Sequence, residues 1–564
     1  MQRTGTRLFL KLAFLAVVFN YIPATVNAQY FGRNKPEYKK FRYDVYETPH
    51  FDIYHYLKND SVLNQFARMS EEWYRRHYPV FGVDLKGHNP IFLYNNHGDF
   101  AQTTAISGAI GVGTGGVTEA LKNRIVLPLA PMYAQTDHVL GHEMVHAFQY
   151  TTIIHGDSTN MSSLNNIPLW MVEGMAEYLS IGSVDEHTAM WIRDAVLHHD
   201  FPTFKDLDRD PKYFPYRWGQ AFWAFVGKTW GDDKIVPLFI ETSKVGFKDA
   251  IKNILGIDAE TLQGMWKSAT TLYYKPFLPD SVERLTGDKV AFPGNAGDLN
   301  VSPSVSPDGK YVVFLSEKDV LSLDLYLADV QRGKIVKKLS ASLQHHEIDE
   351  MNNLESAGTW SPDGRYFAFT VYEKGKNQLV VIDVKKNRLT DQLNIPGVPS
   401  FFQPAWSPDG KSIVVVGQVN GVSNLFQYFL ETEEVHKITN DRYSYVQPYW
   451  SHDGRYLVVA TDRTPVPTDK PYLHTNLAMI DVKTGHVRVL SVFHGAENLN
   501  PLFSVDDQSV FFLSNRDGRR NLYRYDLKTG KVFRLTDYEL GITGITHYSP
   551  AISIAREKNE IAYS

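Results

Sequence analysis

The chain has 564 residues, 43% apolar and 21% charged, with a formal charge of −5 and no cysteine. At roughly 100–200 residues per domain this length predicts two or more domains, and the composition excludes wholesale disorder and collagen-like repeats. The small negative charge supplies no basic field, so no nucleic-acid partner is expected. Without cysteine, any metal must be held by His, Asp or Glu.

Arg3, Arg7 and Lys11 precede the apolar stretch Leu12 to Val18, which runs on to the small-residue site Val26-Asn27-Ala28. Asn20 interrupts the stretch, which falls short of the roughly 20 residues of a membrane span. Residues 1–28 therefore read as a secretory signal cleaved near Ala28. No later segment is long and apolar enough to span a bilayer, so the mature chain is expected to be exported to the periplasm, the cell surface or the medium.

Residues 29–280 read as one α+β domain, with strand-like runs at Phe51 to His55, Ile91 to Tyr94 and Arg124 to Leu129, then helical patterns from Thr136 to Tyr274. Gly108 to Gly116 has neither a phosphate-loop ending nor a dinucleotide fingerprint and reads as a flexible turn. The run Arg124 to Leu129, with Pro128 near its end, reads as an edge strand able to pair with an extended peptide.

His142-Glu143-Met144-Val145-His146 lies within the helix-compatible run Asp137 to Tyr150. Four residues advance a helix by about 400°, so both imidazoles emerge on one face where a single ion bridges them. Glu143 is offset enough to face a metal-bound water without binding the metal. His138, one turn earlier, reads as packing. After Pro168 a second helix starts at Trp170-Met171-Val172-Glu173-Gly174-Met175-Ala176-Glu177-Tyr178. Carboxylates on so apolar a helix need partners: Glu173 reads as the third metal ligand and Glu177 as the acceptor that holds an imidazole tautomer. Tyr216, just before a further helix, is the candidate donor to a developing oxyanion.

H-E-x-x-H followed by W-x-x-E-G-x-A-E-Y is similar to the gluzincin zinc metallopeptidases of the peptidase MA-like group, over residues 45 to 275 and including Tyr216, Gly219 and Phe222. The resemblance implies a zincin-like domain in which His142, His146 and Glu173 bind one Zn2+ per chain. It also implies that Glu143 is the general base and that the substrate is a peptide or protein.

From residue 300 the chain repeats an aromatic or apolar residue, Ser-x-Asp-Gly and a β-branched run. Copies stand at Ser306, Ser361, Ser407 and Ser451, with degraded ones at Ser504 and near Ser553. Asp-Gly supplies a tight turn and the flanking runs have the composition of buried strands, so each unit reads as a four-stranded blade and residues 281–564 as an all-β propeller of about six blades. Tryptophans before the serines read as packing between blades. The sixth unit reaches Ser564 after its second strand, so either strands before the first unit close the ring, with Val282-Glu283-Arg284-Leu285-Thr286 reading as a fourth strand, or the chain is part of something longer. These units resemble TolB-type (SPDG, WD40-like) propellers, and the fusion, with the opening Gln29 to Lys35, resembles exported proteins of the Bacteroidetes.

The fold expectation is thus multidomain, a zincin-like domain followed by a propeller. The functional expectation is an exported zinc peptidase whose propeller binds substrate or an envelope protein partner. The alternative is a non-catalytic envelope scaffold with a structural or vestigial metal site. An intact Glu143 favours the first, and the lack of a G-x-S-x-G elbow disfavours a serine peptidase. His142 to Glu177 lie close in sequence, so the propeller is expected to be dispensable for the chemistry. His345-His346-Glu347, with Asp349 and Glu350, reads as a polar loop.

Overall fold

The computed structural model describes residues 38–564 apart from 86, 107, 155–157, 279–284, 320–322, 341–347, 349, 353 and 466–472. The expected signal sequence, most of the expected closing strand at 282–286, and His345, His346, Glu347 and Asp349 lie outside the described residues.

Strands β1 (Asp44–Glu47), β2 (Phe51–His55), β3 (Asn89–Tyr94), β4 (Val117–Glu119) and β5 (Arg124–Pro128) form a mixed sheet in the order β1-β2-β3-β5-β4. Alternation sends Phe51, Ile53, Ile91, Leu93, Ile125 and Leu127 into one core with Leu63, Phe66, Leu140 and Met144. The last four come from helices α1 (Asp60–Phe81) and α3 (Tyr133–Ile154); α2 (His97–Phe100) is a single turn. Helix α1 has no counterpart in the sequence expectations. It is capped by Asn59, whose side chain accepts from the Ser61 and Val62 amides, and ends at left-handed Gly82. Its crossover makes β2 and β3 parallel.

β5 is not the expected edge. It pairs with β3 in parallel from Ile91↔Ile125 to Tyr94↔Pro128 and with β4 antiparallel from Val117↔Val126 to Glu119↔Arg124. Its nearly continuous burial is what a strand paired on both sides requires. The edge beside α3 is β4.

Among the described residues of this domain the helices that follow are α4 (Leu169–Ile181), α5 (Glu186–Leu197), α6 (Phe204–Arg209), α7 (Pro215–Trp230), α8 (Ile235–Val245), α9 (Phe247–Leu255) and α10 (Ala259–Tyr274). Trp170, Trp218, Phe222, Trp223 and Trp266 are buried among them. Helices α4 and α7 cross where Gly174 meets Gly219. A Cβ on Gly219 would lie 2.6 Å from the Gly174 Cα and closer still to the Trp170 carbonyl oxygen, so only paired glycines allow this approach.

The propeller has five blades rather than six: β6 to β9, β10 to β14, β15 to β18, β19 to β22 and β23 to β26, covering Asn300–Val305 through Val532–Arg534. The sixth unit is a two-stranded sheet, β27 (Ile552–Ile554) with β28 (Ile561–Tyr563). It joins the first blade through Val305 N to Ser553 Oγ at 3.0 Å and Glu557 N to the Pro307 oxygen at 2.9 Å. Thr286, from the expected closing strand, donates its amide to Tyr538 Oη at 2.9 Å. Turn glycines 309, 364, 410 and 454 all have positive φ, and Asp507 takes that conformation in the degraded copy. In each complete copy the serine hydroxyl donates to the aspartate two residues on, as in Ser407 to Asp409 at 2.6 Å.

The inner strands also carry amides that the repeat did not flag. Gln403, Gln447 and Asn500, left-handed residues before prolines, each accept the main-chain N–H of the next unit: Gln447 N to Gln403 at 2.6 Å, Asn500 N to Gln447 at 2.7 Å and Ala551 N to Asn500 at 2.8 Å. Trp360 and Trp450 reach between blades, donating to Ser304 O and Ala405 O.

The propeller packs on the first domain rather than standing apart. Met132, just before α3, is buried with Phe402, Tyr445 and Val446 of the third and fourth blades. Gln418, in the strand Ser412–Val419, donates to the Leu129 oxygen at 2.8 Å, and Glu350 accepts the Val112 amide at 3.1 Å.

Candidate metal centre

From Leu140 to Gln149 every residue of α3 is buried. A helix enclosed on all sides must find partners for its polar side chains within the protein, and His142, Glu143, His146 and Gln149 lie on this buried stretch. His142 Nε2 is 3.1 Å from His146 Nε2 and 3.2 Å from Glu173 Oε2, and His146 Nε2 is 3.4 Å from that same oxygen. Tetrahedral zinc with bonds of 2.0–2.1 Å spaces its ligand atoms about 3.3–3.4 Å apart. The three edges match one face of such a tetrahedron. Two imidazole nitrogens also aim at a single point where at most one proton fits between them, and a cation resolves that crowding. The residues present fit a zinc ion.

Both imidazoles have an orienting partner. Glu177 Oε1 lies 3.0 Å from His142 Nδ1, within ion-pairing range although off the line of a hydrogen bond, and 3.1 Å from His138 Nε2. Its other oxygen accepts from Arg217 Nη1 at 3.2 Å. His146 Nδ1 is 2.9 Å from Gln149 Oε1, and Gln149 Nε2 donates to the Val172 oxygen at 3.1 Å, tying α3 to α4. Burial alone would lower the His142 imidazole, but Glu173 and Glu177 raise it to about 10. Burial would raise both carboxyls, but the imidazoles hold them well below the usual range.

Glu143 faces β4. Thr118 Oγ1 lies 2.7 Å from Glu143 Oε2 and 2.9 Å from its main-chain oxygen. A Cβ on Gly116 would lie 2.8 Å from Glu143 Cγ and 3.0 Å from Oε1, so this glycine of the expected flexible turn clears space for the carboxylate. The Tyr216 ring stacks on His142 at 5.6 Å, and its phenol lies within the field of Glu173. Burial first, then Glu173, keeps that phenol protonated and a donor.

Among the described residues a second group, His138, His142 and Glu177, also lies close enough to hold an ion. Arg217 occupies one oxygen of Glu177, and its positive charge opposes a cation there. The structure thus brings together His142, Glu143, His146, Glu173, Glu177 and Tyr216, and places His138 against Glu177. Thr118, Gln149 and Arg217 were not anticipated. Gln149 stands three residues after His146 on the same helix face, a readable spacing, whereas Thr118 and Arg217 reach the site only through strand pairing and helix crossing.

Residues 106–203 match the family described as peptidase of plants and bacteria, and residues 344–468 match the TolB β-propeller domain. The first span contains His142, Glu143, His146, Glu173 and Glu177 and stops short of Tyr216. An uncharacterized peptidase, YuxL, of Bacillus subtilis is 24% identical over 219 residues, 38% of this chain and 29% of that protein. Dipeptidyl-peptidase 5 of Porphyromonas gingivalis is 21% identical over 241 residues, 39% of this chain and 35% of that protein. The chain therefore spans about a third of the length of these curated relatives. TolB from Acinetobacter baumannii is 17% identical with a TM-score of 0.35, covering 50% of this chain and 71% of that one. The chain carries a peptidase-related domain and a TolB-type propeller.

Proposed function

We propose that the protein is an exported zinc-dependent peptidase of gluzincin type, with His142, His146 and Glu173 holding one zinc ion and Glu143 as general base. The observation that carries this reading is the 3.1–3.4 Å triangle of His142 Nε2, His146 Nε2 and Glu173 Oε2 beside Glu143, inside the span that matches a peptidase family. Bound zinc supplies Lewis acidity toward the scissile carbonyl and toward the attacking water. Glu143 takes the proton from that water and passes it to the leaving amine nitrogen, so the carboxylate is regenerated when the peptide bond breaks. Thr118 holds Oε2 of Glu143, leaving Oε1 in the space cleared by Gly116. Tyr216, a protonated phenol stacked on His142, donates to the developing oxyanion. The edge strand β4 is the element available to an extended substrate, and the propeller serves as the module that binds substrate or an envelope partner.

Metal analysis of the purified chain, paired with Glu143→Gln assayed on a broad peptide library, tests the reading. One zinc per chain is expected in both forms, with turnover lost only in the variant. Loss of zinc from Glu143→Gln shows that the base is misassigned. A zinc-loaded wild-type chain inert on every peptide favours the non-catalytic scaffold.

A further inference from the structure

The polar groups behind the metal centre continue into the propeller. Arg217 Nη1, 3.2 Å from Glu177 Oε2, is also 3.4 Å from Asp185 Oδ2. That oxygen caps α5 by accepting the Thr188 amide at 2.7 Å. The next residue, Glu186, turns its carboxylate the other way, and its Oε1 lies 2.8 Å from Nη2 of Arg520 in the fifth blade. Arg520 is itself fixed: Nη1 donates to the His547 oxygen at 2.9 Å, Nη2 is 2.9 Å from His547 Nδ1, and its own carbonyl accepts the Ile542 amide at 2.8 Å. The Glu186 and Arg520 side chains are only 11% and 8% exposed. A second contact, Arg193 Nη1 to the Gly518 oxygen at 3.4 Å, holds α5 to the same blade. In the connection that carries Asp185, Gln220 Nε2 donates to the Gly182 oxygen at 2.8 Å and Val184 is 86% exposed.

We propose that Arg520 is a positioning residue for the metal centre. By fixing Glu186 at the head of α5, the fifth blade sets Asp185 and Arg217, and through them the Glu177 carboxylate that orients His142. Buried charges of alternating sign tolerate the loss of one partner poorly, because the remaining charge must move or recruit water. The inference rests on the reading of His142, His146 and Glu173 as ligands. It makes the propeller part of the active site's support rather than a dispensable module.

The test uses the full chain, with zinc affinity measured by chelator competition and kcat and KM measured on a peptide that the wild type cleaves. Arg520→Ala should weaken zinc binding and lower kcat by about tenfold each, the lower end of the effect expected for partners of metal ligands, with KM nearly unchanged. Arg520→Lys should recover much of both. Because the two arginines act in series, Arg217→Ala with Arg520→Ala should be no worse than Arg217→Ala alone. Wild-type zinc affinity and kcat in Arg520→Ala, with only a lower Tm, would overturn the inference, as would fully additive losses in the double variant. Should Arg520→Ala not fold, Glu186→Gln carries the same expectation and the same refuting result. A wild-type chain that binds no zinc refutes the site and this inference together, whereas an active zinc-loaded chain indifferent to Arg520 and Glu186 refutes the inference alone.

Discussion

Gly219→Ala sets two opposite expectations against each other. Helix propensity alone favours alanine by about 1 kcal/mol in a helix interior. The crossing of α4 and α7 opposes it, because the new methyl would lie 2.6 Å from the Gly174 Cα and 2.9 Å from the Trp170 carbonyl carbon. These are backbone atoms, and the Trp170 carbonyl oxygen is nearer still, so relief requires the helices to part by more than an ångström. Overpacking of this kind costs about 1–3 kcal/mol, and a backbone clash belongs at the upper end. The net expectation is a loss of about 1–2 kcal/mol, or a fall in Tm of several degrees at about 2–4 °C per kcal/mol for a domain of this size. The same parting carries Tyr216 and Arg217 on α7 away from Glu173 and Glu177 on α4, so turnover should fall further than stability does. Thermal unfolding of the zinc-loaded chain, followed by circular dichroism together with turnover, measures both. Adding Gly174→Ala should cost less than its effect alone, because one opening accommodates both methyl groups. A Gly219→Ala chain as stable as wild type, or more so, refutes the steric argument and leaves propensity as the governing effect.

Two further changes address other parts of the molecule. Thr118→Val removes the hydroxyl 2.7 Å from Glu143 while keeping its shape, and should lower kcat about tenfold or more with zinc stoichiometry unchanged, a hydrogen bond to a charged group being worth about 1.5–3 kcal/mol; an unchanged kcat shows that Thr118 does not hold the base. Burial, and then the charge of Asp441, raises the Asp462 carboxyl to about 7, although Ser444 donates to it at 2.8 Å. Between about pH 4 and 7 the folded state therefore holds a proton that the unfolded state has lost, so stability falls as pH rises through that window and stays low above it. Asp462→Asn keeps the acceptor for Ser444 and should flatten that decline, raising stability at pH 8 by a few kcal/mol at about 1.4 kcal/mol per pK unit. Denaturant titrations of both forms at pH 5 and pH 8 check it, and parallel pH profiles would show that Asp462 does not titrate in this range.

The sequence determined the local chemistry by itself. Helical periodicity puts His142 and His146 on one face whatever surrounds them, and a fixed turn repeat makes Ser306, Ser361, Ser407 and Ser451 start hairpins because Asp-Gly adopts the required backbone at little cost. Glu173 and Glu177 were conspicuous because an apolar helix must account for its carboxylates. Tertiary structure alone decided what depends on elements distant in the chain. β5 became an interior strand because β4, only three residues long, pairs along its free side, and that pairing delivers Thr118 to Glu143. Arg217 reached Glu177 because Gly174 and Gly219 allow α4 and α7 to touch. The sixth propeller unit is two strands tied to the first blade rather than a full blade, and the propeller docks through Met132, Gln418 and Arg520. Periodicity records which face of an element is buried, but not which partner covers it; the partner is chosen by packing and by the need to pair each buried charge.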